Sequence, residues 1–593
     1  MFYKIKKHLG IICCLLFAIA TVFYFTSIKS VLYQTSNIES SQASFQLFTD
    51  ELFKSEVTSN TLILHYTLEN PEKYNIDNYP ITFGNISEDS FHEADLKIKE
   101  NLKALETFDY EMLSSGQQLT YDILHDYYQR SLEQSDLIYY SEALSPTTGT
   151  QAQLPILMAE YTFNNEQDIL NYLTLLAQMD DYYTSIINFE KEKSKQGLFM
   201  ASDAAHEVIS QCSDFINDPE NNFLISTFNT RVDSLDGISD TTKNNYKLQN
   251  KSILYSHVIP AYKILIKGLS SLEDSCTNEQ GLCYFENGQK YYEYLVKNNT
   301  GSSKSIFELK KLLNTYMKND LKQLAQIATD NPSILATSDT YSFDLSDPNT
   351  ILEDLKSKIT TDFPEPPNAD YTVKYIDSSL SKHLSPAFYL TPPIDNITNN
   401  SIYINPDSNY SKIDLYTTLA HEGYPGHLYQ NIYFNANNSD LIRKLLNYGG
   451  YTEGWATYVE MYSYQLTNID SNLSKFLQLN NAITLYLYAN MDIGINYNGW
   501  SLKDTSDYLS NYGISDENAV SKVYCAIISE PTNYLKYCIG YLEFMELKKT
   551  AEKELGSNFQ LKDFHEFILD TGPAPFYIID KYMNTWMKEL AKS

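Results

Sequence analysis

Arginine is almost missing from this chain: three residues in 593, Arg130, Arg231 and Arg443. The formal charge is −31. A surface that acidic argues against nucleic acid or anionic membrane as a partner of the folded part, because both would repel it. The arginine-poor usage, with frequent lysine and asparagine, fits an AT-rich genome more than a chemical role. Cysteine is sparse too, at seven, and no two stand as C-x-x-C, which argues against a thiolate zinc site. Cys276 and Cys283 close the short loop "CTNEQGLC", spaced for a disulfide in an oxidising compartment. Cys525 and Cys538 are a second pair, buried or bonded, and Cys212 is left over. There is no internal repeat, and no linker after residue 45 is long enough to set a domain boundary.

Hydrophobic residues make up 43% of the chain, ordinary for a globular protein, so most of it should fold. Residues 45–593 read as one large unit. The N-terminus differs. Lys4, Lys6 and Lys7 precede an apolar run from about Leu9 to Ile28, close to the roughly 20 residues that cross a bilayer as a helix. The basic flank places the remainder outside the membrane. No small-x-small cleavage site follows the run, and Ile12 stands before Cys13 where a lipobox wants a small residue. Residues 1–30 therefore read as an uncleaved signal anchor, 31–44 as a polar stalk, and the body as exported, extracellular or secreted. The anchor is the expected membrane contact.

The body is patterned for helices. "SFQLFTDELFKSEV", "NLKALETFDYEMLSS" and "SIFELKKLLNTYMKNDLKQLAQIA" space apolar residues three and four apart. "EQDILNYLTLLAQMDDYYTSIINFEKEKSKQG" predicts one long helix ending at Gly197. Strand signals are confined to 370–377 and 400–406, on either side of a Pro-rich extended piece. The expected fold is mainly helical, with a small antiparallel sheet beside the segment that follows.

That segment is "TLAHEGYPGHLYQ", residues 418–430. In the zinc-protease pattern H-E-x-x-H, two histidines four apart face one metal, and the glutamate faces its water. Here His421 and Glu422 are adjacent, but the next histidine, His427, is six residues on. On a regular helix six residues turn about 600°, leaving the rings roughly 120° apart around the axis. Gly423, Pro425 and Gly426 sit in the insertion, and a break there would bring His427 back. Downstream, "YGGYTEGWATYVEMYSYQL" carries Glu453 and Glu460, seven apart and so on one helix face. Glu453 is the candidate third ligand. Glu460 is the candidate partner that holds a histidine or the scaffold.

"HEGYPGHLYQ" followed by "TEGWATYVE" resembles a bacterial family, domain of unknown function 885, whose pattern is H-E-x-x-P-G-H and then E-G-W-A-x-Y-x-E. The segments "MDIGINYNGWS" (491–501), "EPTNYLKYCIG" (530–540) and "DFHEFILDTGPAPF" (563–576) match its later motifs, so the likeness covers at least residues 280–593. The resemblance implies a zincin-like helical fold of the gluzincin type. It implies Zn2+ held by His421, His427 and Glu453, with Glu422 as general base. Tyr537, matching the family's S-Y-K tyrosine, is the first candidate to stabilise the oxyanion, and His565 the second. Asp492 is expected to orient a ligand or a helix end. Two departures stand out: Asn496 replaces a family histidine, and Pro531-Thr532-Asn533 replaces P-G-Q.

The reading that follows is a zinc metallopeptidase, a hydrolase acting on short peptides. Two alternatives share the scaffold. One is a non-catalytic surface protein that binds a peptide or partner, which the Asn496 and Thr532 departures favour and the retained Glu422 opposes. The other is a zinc hydrolase acting on a cell-wall peptide or a non-peptide amide.

Overall fold

Helix α1 (Ile38–Val57) begins inside the expected polar stalk, 31–44, rather than after it. Its Phe45, Phe48, Leu52 and Phe53 are buried at helical spacing, and Ser41 is carried into the same contact. The computed structural model describes residues 38–376, 385–408, 410 and 413–591. The expected signal anchor and the start of the stalk lie outside them. Among the described residues, no helix is long and apolar enough to cross a membrane.

The body is mainly helical, as the periodicity predicts. The long helix expected up to Gly197 is two: α2 (Glu166–Leu176) and α3 (Met179–Lys195), broken at Ala177 and Gln178. The Gln178 side-chain amide donates to the Ile81 carbonyl at 3.0 Å, and the break turns Leu173, Leu176, Met179 and Tyr183 into one core. Helix α4 (Gly288–Thr300) leads to α5 (Ile306–Asp330), which starts on a capping box between Ser305 and Glu308. Helix α6 (Pro348–Lys358) then packs under the sheet region.

The sheet has three strands, β1 (Asp370–Tyr375), β2 (Ala387–Leu390) and β3 (Asn399–Ile404), in the order β1-β3-β2. β3 pairs antiparallel with β2 and parallel with β1. The sheet is thus mixed, not wholly antiparallel. The Pro-rich piece contributes a strand of its own, so the chain reverses twice between β1 and β3 and the two run the same way.

After the sheet come α7 (Asp414–Glu422), α8 (His427–Asn437), α9 (Gly449–Ser463), α10 (Ser471–Asn496), α11 (Asn533–Leu555) and α12 (Leu561–Thr571). The apolar core falls into two principal clusters. One joins α1 and buried residues from Ile63 to Tyr128 to the elements after residue 290, and the other gathers Leu62, Phe83, Ile86 and Phe91 with residues 143–269. The expected disulfide is not formed: Cys276 and Cys283 are free thiols. Their sulfurs point to different carbonyls, of Asn278 and Ile495, each at 3.5 Å. Cys525 and Cys538 are free as well, Cys525 lying 3.4 Å from an Asp203 carboxylate oxygen.

Candidate metal centre

Helix α7 stops at Glu422, and α8 starts at His427. Between them Gly423 and Gly426 adopt non-helical conformations, with ψ of −104° and −135°. The turn folds α8 back tightly on the end of α7. A Cβ on Gly426 would lie 1.8 Å from the His421 carbonyl oxygen and 2.4 Å from that of Ala420. The Trp455 indole N–H fixes the turn from outside, donating to the Pro425 carbonyl at 2.9 Å. The six-residue spacing is therefore accommodated by a full break in the helix.

The break brings the two histidines together. Their ring centroids are 4.8 Å apart and the planes 79° to each other. Glu453, from α9, completes the group. Its Oε2 lies 3.5 Å from His427 Nε2 and 3.7 Å from His421 Nε2. One donor atom from each residue lies within 4.8 Å of the others, and all three residues are buried. Three donors on a tetrahedral zinc at about 2.0–2.2 Å stand about 3.3–3.6 Å apart; the carboxylate here stands at 3.5 and 3.7 Å from the two imidazoles, close to the spacing such an ion would need. Two imidazoles and one carboxylate are also a donor set used by catalytic zinc sites.

Surrounding groups hold the donors in place. His421 Nδ1 lies 3.0 Å from Glu460 Oε2, which leaves Nε2 to face Glu453. The Asn481 amide supports the other Glu460 oxygen at 3.4 Å. Glu422 is fully buried, and its Oε2 accepts the Tyr389 main-chain N–H at 3.1 Å. That donor comes from β2, one of the two edge strands of the sheet. Residue type alone gave no signal for it.

Tyr537, on α11, lies on the other side. Its ring is 6.3 Å from that of His421, and it is hydrogen-bonded to Glu453. Burial, followed by the nearby Glu453 and Glu422 carboxylates, pushes its phenol well above the ordinary value, so it stays a proton donor at neutral pH. Helices α9 and α11 can bring these two residues together because they cross glycine on glycine. A Cβ on Gly454 would meet the Gly540 Cα at 2.5 Å.

His565 and Asp492 are placed elsewhere. His565 Nδ1 donates to the Asp362 carbonyl at 2.6 Å, and Nε2 accepts from the Tyr458 hydroxyl at 2.9 Å. The ring stacks on Phe363 at 4.1 Å and stands edge-on to Trp455 at 5.6 Å. Burial lowers its pKa to about 3, so it is a neutral wall behind the Trp455 support. Asp492 is fully buried, accepting from the Tyr292 hydroxyl at 2.6 Å and from the Thr532 N–H at 2.9 Å. It caps the start of α11, the helix-end role, and burial raises its pKa to about 7.

The two departures from the family pattern fall on this scaffold. Asn496 is fully buried and ties α10 to the Leu282 N–H at 3.2 Å and the Ile527 carbonyl at 3.3 Å. Thr532 has φ +66°, the left-handed region where glycine is unstrained, and its hydroxyl accepts from Asn299 at 2.7 Å.

The centre opens onto a cavity of about 630 Å3 whose wall includes His427, Glu453, Tyr389, Gln430 and Lys536. A volume of this size suits a small organic ligand.

The family model of bacterial proteins of unknown function DUF885 matches residues 81–583, and the chain belongs to that family. No curated protein matches it. Among solved structures, one titled a "putative lipoprotein" from Colwellia psychrerythraea is similar, with TM-score 0.82 and 17% identity, covering 94% of this chain and 100% of that one. A second, a "putative lipoprotein of unknown function" from Shewanella oneidensis, has TM-score 0.61 and 15% identity, covering 93% and 100%. At these identities the likeness is one of fold.

Proposed function

We propose that this member of the DUF885 family is an exported, zinc-dependent metallopeptidase acting on short peptides. The observation that carries the reading is the convergence of His421, His427 and Glu453 beside a buried Glu422, at the wall of a cavity. A protein that only binds has no use for a carboxylate next to a ligand pair. The edge strand β2 supports a peptide in particular. Its Tyr389 and Leu390 line the cavity, and an edge strand offers main-chain groups to an extended ligand.

His421, His427 and Glu453 would hold the ion. Zinc in such a site supplies Lewis acidity and hydroxide at neutral pH. Glu422, oriented by the Tyr389 N–H, takes the proton of the attacking water and passes it to the leaving amine. The Tyr537 hydroxyl donates to the oxygen that becomes negative as the carbonyl is attacked. Glu460 keeps the His421 ring turned. The N-terminal apolar run supports export, with the body held at the outer face of the membrane.

Elemental analysis of the purified chain tests the centre. One zinc per chain, lost in His427→Ala, is expected. Cleavage of a peptide library by wild type, abolished in Glu422→Gln with zinc retained, is expected next. No zinc after reconstitution would refute the reading. Zinc without cleavage of any peptide would point to another amide or to binding alone.

A further inference from the structure

The cavity wall also holds a joint between the two apolar cores. Glu530 stands three residues before the first residue of α11 and is 8% exposed. Five neutral donors converge on its carboxylate. Oε1 accepts from Ser145 Oγ at 3.0 Å, from the Thr147 and Thr148 N–H groups at 2.8 and 2.7 Å, and from the Thr148 hydroxyl at 3.2 Å. Oε2 accepts from the side-chain amide of Asn533, the first residue of α11, at 3.1 Å. Ser145, Thr148, Glu530 and Asn533 all line the cavity.

The turn on the far side is tied down through its carbonyls. Those of Ser145, Pro146 and Thr147 accept from the side-chain amides of Gln151, Gln211 and Gln153 at 2.7, 2.8 and 2.9 Å. The glutamines sit on the helices Thr150–Glu160 and Ser202–Ile216, which pack in the core of residues 143–269. With the carbonyls held there, successive N–H groups are left as a small anion-binding nest, and Glu530 fills it. On the near side, Thr532 gives its N–H to Asp492 at 2.9 Å and accepts from Asn299 at 2.7 Å, which ties the same segment to α10 and α4 in the other core.

Tyr537 lies about one helical turn beyond Asn533, with its ring 6.3 Å from that of His421 and its hydroxyl bonded to Glu453. A helix is stiff over one turn, so the place of Asn533 sets the place of that hydroxyl. A shift of about 1 Å at a reacting group can cost about 100-fold in rate. We infer that Glu530 is a positioning residue for Tyr537, a strut between the Ser145–Thr148 turn and the start of α11. What Tyr537 does in the reaction rests on the metallopeptidase reading; the strut does not. Through it the second core has a part in a site whose metal donors all come from the first.

Peptide cleavage by the zinc-loaded full chain is one readout. Glu530→Gln keeps the size, removes the charge and sets an amide nitrogen against one group of donors. kcat on a mixture of short peptides should fall at least about tenfold, with KM within about twofold. In a Tyr537→Phe background the same change should alter kcat less than about twofold, because the hydroxyl it positions is gone. Equal losses in both backgrounds, or a change confined to KM, would overturn the inference. Thr148→Val trims one donor and keeps the main chain. It should give the same pattern at smaller size, and it carries the test if Glu530→Gln does not fold. Hydrogen exchange needs neither zinc nor substrate. The Leu535–Tyr537 amides should exchange at least about tenfold faster in Glu530→Gln, while Ala551, far along α11, keeps the wild-type rate. Unchanged exchange at 535–537 would overturn the strut even if peptides are cleaved. Faster exchange there, with no cleavage by wild type, would sink the peptidase reading and leave the strut standing.

Discussion

Gly426 decides whether His427 reaches its partners. With a Cβ 1.8 Å from the His421 carbonyl, Gly426→Ala must push α8 off the end of α7. Zinc content should fall well below one per chain in whatever fraction folds, and full zinc with an unchanged melting temperature would contradict the geometry. Glu460 acts on the same ring from the other side. Glu460→Gln keeps the shape but weakens the acceptor at His421 Nδ1, and outer partners of this kind change metal affinity by about 10–100-fold. Chelator competition against zinc measures it, and an unaltered affinity would mean the 3.0 Å contact does not tune the ligand. At this scale the sequence is informative where a side chain carries the chemistry. His421, Glu422, His427, Glu453 and Glu460 are all visible in two short motifs. The Tyr389 N–H that aims Glu422 is not, because every residue but proline has one. Trp455 is visible as a motif letter, but its grip on Pro425 is a tertiary fact.

Between elements, the decisive contact is the crossing of α9 and α11. Gly454 and Gly540 let the two backbones touch, and Glu453 and Tyr537 meet as a result. Gly454→Ala inserts a methyl group against backbone that cannot rotate away. Overpacking of this kind costs about 1–3 kcal/mol, and the helices should also separate enough to lower zinc affinity. Urea unfolding with zinc titration checks both, and a variant as stable and as tight as wild type would rule out the crossing as the positioning device. The helices themselves were readable, because 3.6-residue periodicity is strong over long spans. The kink at Ala177 and Gln178 was not, since apolar spacing continues across it. The sheet direction was not readable either. A four-residue strand inside a Pro-rich piece has too few positions to alternate, and β2 reverses the chain between β1 and β3.

For the whole molecule, a buried acid and a buried base pull stability in opposite directions as pH falls. The net charge of −31 shrinks toward the pI of about 4.7, which relieves self-repulsion. Asp492 acts in the same sense. Its folded pKa of about 7 is above its ordinary 3.8, so the native state takes up its proton first as pH falls. His565 acts against them. Its folded pKa of about 3 is below its ordinary 6.5, so between those values the unfolded chain holds a proton that the native state refuses. The stability it contributes is complete above pH 6.5 and is lost progressively as pH falls toward 3. Each pH unit in that window costs about 1.4 kcal/mol. His565→Gln removes this titration while leaving the Asp492 and net-charge effects in place. Denaturant unfolding of both proteins from pH 7 to pH 5 should show wild type losing about 1.4 kcal/mol per unit relative to the variant below pH 6.5. Parallel curves would mean that His565 becomes protonated in the folded protein, and that the wall behind Trp455 is wetter than its packing against Phe363 implies.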